Sequence, residues 1–155
     1  MKVLHVNSYY SNRMFYKNLY DIQINNGLDI DVYVPVPFSY KKTDKNMGSY
    51  TMLSHNHGKY DRLIFHLKHH RIYKDIIKKY EIGNFSLVHA HSLFSNGYIA
   101  LRLKQDYGIP YIVAVRSTDL YTFFGRMIHL RKLGVKILRE ADRVIFLSET
   151  FRDKV

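Results

Sequence analysis

The 155-residue chain has no cysteine, no tryptophan and only 3 prolines, and its 13 acidic residues face 24 basic ones. Without cysteine there is no disulfide framework, no thiolate metal site and no Cys nucleophile. No apolar run approaches the ~18 residues that a membrane-spanning helix needs. Neither Gly-x-Gly-x-x-Gly nor Gly-Lys-Ser/Thr occurs, which argues against a dinucleotide site and an ATPase-type phosphate loop. Met1 leads straight into Val3-Leu4-His5-Val6, with no basic region, longer apolar region or cleavage site. No signal peptide is read, and the expected location is the cytoplasm. No Ser/His/Asp order stands out, and no glycosidase carboxylate pair is evident.

What is present is a foldable core and a lopsided charge. Hydrophobic residues make up 46% of the chain and aromatics 15%, enough for one domain with a buried core and too much for a disordered chain. The formal net charge of +11 favours anionic partners. It is concentrated: residues 59–80 carry a net +5, and residues 126–139 another +5.

Both stretches read as amphipathic helices. Tyr60, Ile64, Leu67, Tyr73, Ile76 and Tyr80 form the apolar stripe of the first, Met127, Leu130, Leu133 and Ile137 that of the second. His129, Lys132, Lys136 and Arg139 make a continuous cationic stripe opposite. With Lys68 and Arg71, these basic residues are expected to face an anionic membrane surface, the alternative being an ordinary solvated helix face.

The remaining segments alternate in type. Residues 2–7 lack polar alternation, as for a strand buried on both faces. Ser11 and Asn12 precede a helix over 13–26, with Phe15, Leu19 and Ile22 as its inner face and Gly27 as its end. Residues 29–34 are a strand stopped by Pro35 and Pro37. The polar stretch 38–58 has room for a short strand at 50–54. Strands follow at 86–90, 111–115 and 143–147, a helix at 97–107, a loop at 120–124, and another helix starts at Ser148-Glu149. This alternation predicts an α/β, Rossmann-like three-layer sandwich with a mostly parallel sheet.

In such folds ligands bind beyond the carboxyl ends of the strands. That rule selects four loops. In the first, Ser8, Tyr9, Tyr10, Ser11 and Asn12 present hydroxyls and helix-start N–H groups suited to an anionic or polyhydroxyl ligand, or serve as a plain cap. In the second, His89 and His91 share one strand face, followed by Ser92, Asn96 and Gly97 at a helix start. His91 is a candidate for a substrate or phosphate and His89 for a core histidine. A metal would need one or two further ligands, and Asp119 is the only obvious acid at a neighbouring strand end, so no metal is expected. In the third, Arg116, Ser117, Thr118 and Asp119 follow an apolar strand, where Arg116 suits a phosphate or sugar oxygen and Asp119 a catalytic or capping role. In the fourth, Glu149 reads as a helix-start cap.

At these residues the chain resembles the amino-terminal domain of group-1, family-four retaining glycosyltransferases of the GT-B fold. Residues 1–7 are similar to that family's first strand, and Asn26-Gly27-Leu28-Asp29-Ile30-Asp31-Val32-Tyr33-Val34-Pro35 to its first helix end and second strand. Leu87-Val88-His89-Ala90-His91-Ser92 resembles D-[LIV]-[IV]-H-[AT]-H, with Ser86 where the acid is usual. Residues 108–120 resemble P-x-[IV]-x-[ST]-x-H-G-x-D, with Arg116 for His and Ser117 for Gly. Residues 141–149 match A-D-x-[IV]-[IV]-x-x-S. The first loop lacks the family's paired glycines.

The resemblance implies sugar transfer, with retention, from a nucleotide-sugar donor to the hydroxyl of a sugar or lipid-linked acceptor in surface polysaccharide or glycolipid synthesis. It implies no metal or other cofactor. It assigns residues 1–155 to the acceptor-side domain, with a nucleotide-sugar-binding carboxy-terminal domain beyond, and implies that this half alone is inactive. Arg116, a permanent cation, would bind phosphate or acceptor oxygens and would not act as a base. The alternative is a basic α/β module that binds nucleic acid or another polyanion. No stacking platform is evident for that role, and no nucleic-acid partner is expected.

Overall fold

A computed structural model describes residues 1–12, 15–41, 47–58 and 60–152. Six parallel strands form one sheet in the order β3-β2-β1-β4-β5-β6. They are β1 (Lys2–Val6), β2 (Asp29–Pro37), β3 (Thr51–His57), β4 (Leu87–Ala90), β5 (Tyr111–Val115) and β6 (Arg143–Phe146). The helices are α1 (Phe15–Asn25), α2 (Phe65–Lys79), α3 (Ser95–Tyr107), α4 (Arg131–Glu140) and α5 (Glu149–Arg152). The strand order reverses between β1 and β4, which places the ligand-binding crevice of such sheets at their carboxyl ends.

The two faces are covered unequally. One face packs Leu4, Val6, Val88, Val113 and Val115 against Ile72 and Ile76 of α2, Ile99 and Leu103 of α3 and Ile137 of α4. Gly97 and Gly134 permit this closeness: a Cβ on Gly97 would lie 2.9 Å from Ile137, and one on Gly134 2.6 Å from Phe94. The other face packs Val3, Ile30, Val32 and Val34 against Tyr16 and Tyr20 of α1. Gly108 closes α3 in the left-handed region at φ 73°, its N–H donating to the Lys104 carbonyl.

Four details differ from the periodicity reading. β2 runs through Pro35 and Pro37. Val32 bonds toward β3 and the Tyr33 carbonyl toward Asn7, so by alternation Pro35 faces the β1 side just where β1 has ended. The N–H that proline lacks is not needed there. In α1 the buried residues are Tyr16 and Tyr20, while Phe15 and Ile22 are exposed. The tyrosines point inward because their hydroxyls find polar partners below. α2 begins only after a 3-10 turn at Tyr60–Leu63, which shifts its phase. Tyr60, Ile64 and Leu67 are therefore exposed, and His69, Ile72, Tyr73 and Ile76 are buried. Finally, 120–124 is wound into a π-helical turn, Asp119–Phe124. Phe123 and Phe124 pack on Phe94 at ring distances of 4.6 and 5.1 Å, which draws the segment onto the core.

The strand expected at 50–54 is β3, extended to His57. The expected start of the first helix at Arg13 lies outside the described residues.

Candidate functional site

The crevice is built from the ends of β1, β4 and β5. Asn7 terminates β1 and is fully buried. Its carbonyl oxygen Oδ1 accepts from the Tyr9 N–H at 3.0 Å, and its Nδ2 donates to the Tyr20 hydroxyl at 2.8 Å. This side chain fixes the first loop on one side and α1 on the other. Tyr9 leans over the end of β5, where its ring lies 4.5 Å from the Arg116 guanidinium. Burial, then the Asp119 charge, push the Tyr9 hydroxyl pKa up, so it is a neutral phenol.

Arg116 is the centre of this arrangement. Its Nη1 donates to the Tyr16 hydroxyl. Aromatic face on one side and phenol on the other hold a planar cation at the crevice rim with its fork oriented. Asp119 is 1% exposed. Its carboxylate accepts from the backbone N–H groups of Leu93 (3.0 Å), Phe94 (3.2 Å) and Arg116 (2.9 Å). Burial raises its pKa and these bonds oppose the rise. Asp119 therefore clamps the β4 loop to the β5 loop. The Asp119 carboxylate, expected in a catalytic or capping role, is turned toward these backbone N–H groups.

Three histidines form the floor. His5 on β1 is in register with His89 on β4, and His91 follows two residues on. His5 Nδ1 lies 3.0 Å from His91 Nε2, which also lies 3.2 Å from the Tyr20 hydroxyl. Burial holds all three imidazoles neutral: His5 is lowered to about 3, His89 to about 4, and His91 falls well below its ordinary value.

Two cavities flank the Tyr9–Arg116 ridge. One, of about 400 Å³, lies beside α1 and is lined by Phe15, Leu19, Ala114, Ile145 and Leu147, with His89, His91 and Arg116 at its polar end. The other, of about 360 Å³, lies at the strand ends and is lined by Ser8, Tyr9, Ser11, Lys68, Ser95 and Phe123 among others.

Of the expected site residues, Ser8, Tyr9, His91 and Arg116 reach these cavities, and Ser117 and Thr118 are exposed beside them. Four others turn inward. Tyr10 packs in the core, 5.2 Å from Tyr20 and 6.2 Å from Tyr16 between ring centres. Ser92 accepts from the Asn96 N–H at 3.3 Å, both side chains being buried, and Gly97 is the close-packing glycine of α3. Ser92, Asn96 and Gly97 shape the α3 start.

The basic residues also divide. Lys68 lines the strand-end cavity. Arg71 pairs with Asp61 at 2.6 Å, which ties α2 to the end of β3 through the Gly58 N–H. Lys132, Lys136 and Arg139 do share the exposed face of α4, Lys136 lying 3.8 Å from Glu140.

Sequence reading missed His5, Asn7, Tyr16 and Tyr20. His5 carried a signal, a lone polar residue inside an apolar strand. Tyr16 carried none, since its partner Arg116 is 100 residues away.

The family model for Glycosyltransferase Family 4 matches residues 15–155. The chain belongs to glycosyltransferase family 4. A sucrose-phosphate synthase structure from Thermosynechococcus elongatus is similar in fold, with a TM-score of 0.68 and 13% identity, over 97% of this chain and 78% of that one. No curated protein matches the chain. The parallel six-stranded sheet is thus Rossmann-like, of the GT-B kind. No helix among the described residues is long and apolar enough to cross a membrane.

Proposed function

We propose that this chain is the acceptor-side half of a retaining glycosyltransferase that uses a nucleotide-sugar donor. In the reaction the acceptor hydroxyl oxygen bonds to the anomeric carbon, the bond from that carbon to the nucleotide phosphate breaks, and the hydroxyl proton is released. The observation that carries the reading is the Arg116 guanidinium, held between Tyr9 and Tyr16 just beyond the carboxyl end of β5. A fixed planar cation there binds phosphate or sugar oxygens at a defined angle. Asp119 positions it through the backbone, and Ser8, Ser95 and Lys68 line the neighbouring cleft with hydroxyls and an ammonium group. The carboxy-terminal domain would supply most donor contacts.

The test is Arg116→Ala in the two-domain enzyme. Loss of a charge-assisted contact worth about 1.5–3 kcal/mol lowers transfer about tenfold or more. Unchanged transfer overturns the role of Arg116.

The acceptor in this reading is a sugar or lipid-linked hydroxyl at an anionic membrane, where the enzyme docks peripherally from the cytoplasmic side. The docking face is that of α4, with Lys132, Lys136 and Arg139. Each basic residue near anionic lipid contributes roughly 1 kcal/mol. Co-sedimentation with anionic vesicles at low salt should fall on Lys132→Glu plus Arg139→Glu and be unaffected by Arg71→Ala. Equal binding to neutral and anionic vesicles refutes the docking.

A further inference from the structure

We propose that His5, His89 and His91 form a three-imidazole site for a divalent transition-metal ion such as Zn2+, Co2+ or Ni2+. The three side chains each offer one ring nitrogen, and these nitrogens all lie within 4.8 Å of one another. In a tetrahedral site with metal–nitrogen bonds of about 2.0–2.1 Å, two ligand nitrogens are about 3.3 Å apart. His5 Nδ1 and His91 Nε2 are at 3.0 Å, already close to that spacing. His89 and His91 stack at 4.2 Å between ring centres, side by side on one strand face.

The scaffold suits a metal. His5 and His89 are paired across adjacent parallel strands in the middle of the sheet, and His91 comes from the same strand end. Ligands on paired strands are held more precisely than ligands on loops. An all-nitrogen set selects borderline transition ions over Mg2+ and Ca2+, which take oxygen ligands.

Two groups compete for one nitrogen of the cluster. Both the His5 ring and the Tyr20 hydroxyl converge on His91 Nε2, a nitrogen with one lone pair or one proton. One ring nitrogen cannot serve both fully, whereas a metal takes the lone pairs of all three rings.

The groups facing the cluster are Tyr16 and Tyr20 from α1 and Arg116 from the loop after β5. Asp119 spends both oxygens on backbone N–H groups and does not join it. The Arg116 charge disfavours a bare cation, so the fourth position, on the side of the 400 Å³ cavity, takes an anionic oxygen such as hydroxide or phosphate. The family resemblance asks for no metal, and the site adjoins the Arg116 crevice without taking a step in the proposed transfer reaction.

The experiment is titration of the metal-free chain with Co2+, followed by visible absorption. The expected result is one tight equivalent with the intense spectrum of four-coordinate cobalt. His89→Asn, at the partly exposed member, weakens binding by at least about tenfold. The exposed His66 and His70, four residues apart on α2, are the competing chelating pair, and His66→Asn plus His70→Asn should leave the tight equivalent unchanged. X-ray absorption of the zinc-loaded wild type gives a readout independent of any variant's folding, and should count three imidazole nitrogens. Equal affinity in His89→Asn, loss of binding in the His66/His70 variant, or fewer than three imidazoles overturns the proposal.

Discussion

The two faces of the sheet are built on different chemistry. The α2–α3–α4 face is apolar and tight, and two glycines let helices approach where a Cβ would collide. The α1 face carries His5, His89, His91, Tyr16 and Tyr20 at its centre. Toward β5 and β6 it leaves Ile145 and Leu147 exposed beside Phe15. The first face supplies stability. The second holds polar groups that can meet a ligand, and it holds them at the switch point because β1 and β4 are neighbours there. Burying imidazoles and phenols costs desolvation, which hydrogen bonds among themselves only partly offset. That cost is acceptable in a domain whose opposite face packs so fully.

The comparison breaks first on the packed face. Leu103→Ala, at a fully buried position, should cost about 2–5 kcal/mol in urea unfolding. A cost near zero would mean that the helix face is not the stabilising one.

Next in size is the acid response of the histidine face. Burial depresses His5 to about 3 and His89 to about 4, from 6.5. Between those values and 6.5 the unfolded chain binds more protons than the folded one, so stability falls as pH drops below about 6.5. His69 on α2, lowered to about 3, adds to the same window. Asp21, Asp106 and Asp142, lowered by bonds to Lys17, Tyr73 and Lys104, act only lower, as pH falls through 3.8 and below. Unfolding midpoints at pH 7.5 and 5 measure the first window, and His89→Asn should narrow the difference between them. An unchanged midpoint contradicts the neutral-floor description.

The smallest effect is at the open rim. Phe15→Ala, at a side chain 70% exposed, should change stability by no more than ~0.5 kcal/mol. A loss as large as that of Leu103→Ala would show that the rim is packed in solution.

Much of the fold was legible because strand and helix periods are local. β5 was read at its observed bounds, β3 was found within a polar stretch, and the family motifs lie on β1, β4, β5 and β6. The errors came where tertiary partners overrule the local pattern. Phe15 lost its expected place to Tyr16 because only a phenol satisfies Arg116. Pro35 continued a strand because its neighbour had already ended. Arg71 reads as a free cation until Asp61 is seen beside it.

The amino-acid order by itself determined the alternating α/β architecture, the concentration of positive charge in two helices, and the loops at the carboxyl ends of the strands. These follow from hydrophobic period and composition, which each segment carries alone. Only the tertiary structure decided which polar residues meet. It set His5 against His91 across 86 positions and Arg116 against Tyr16 across 100. It also set the Asp119 carboxylate across the β4 and β5 loops, bonded to Leu93, Phe94 and Arg116. Such pairings depend on strand order and on which face each side chain takes, and no local pattern in the chain encodes either.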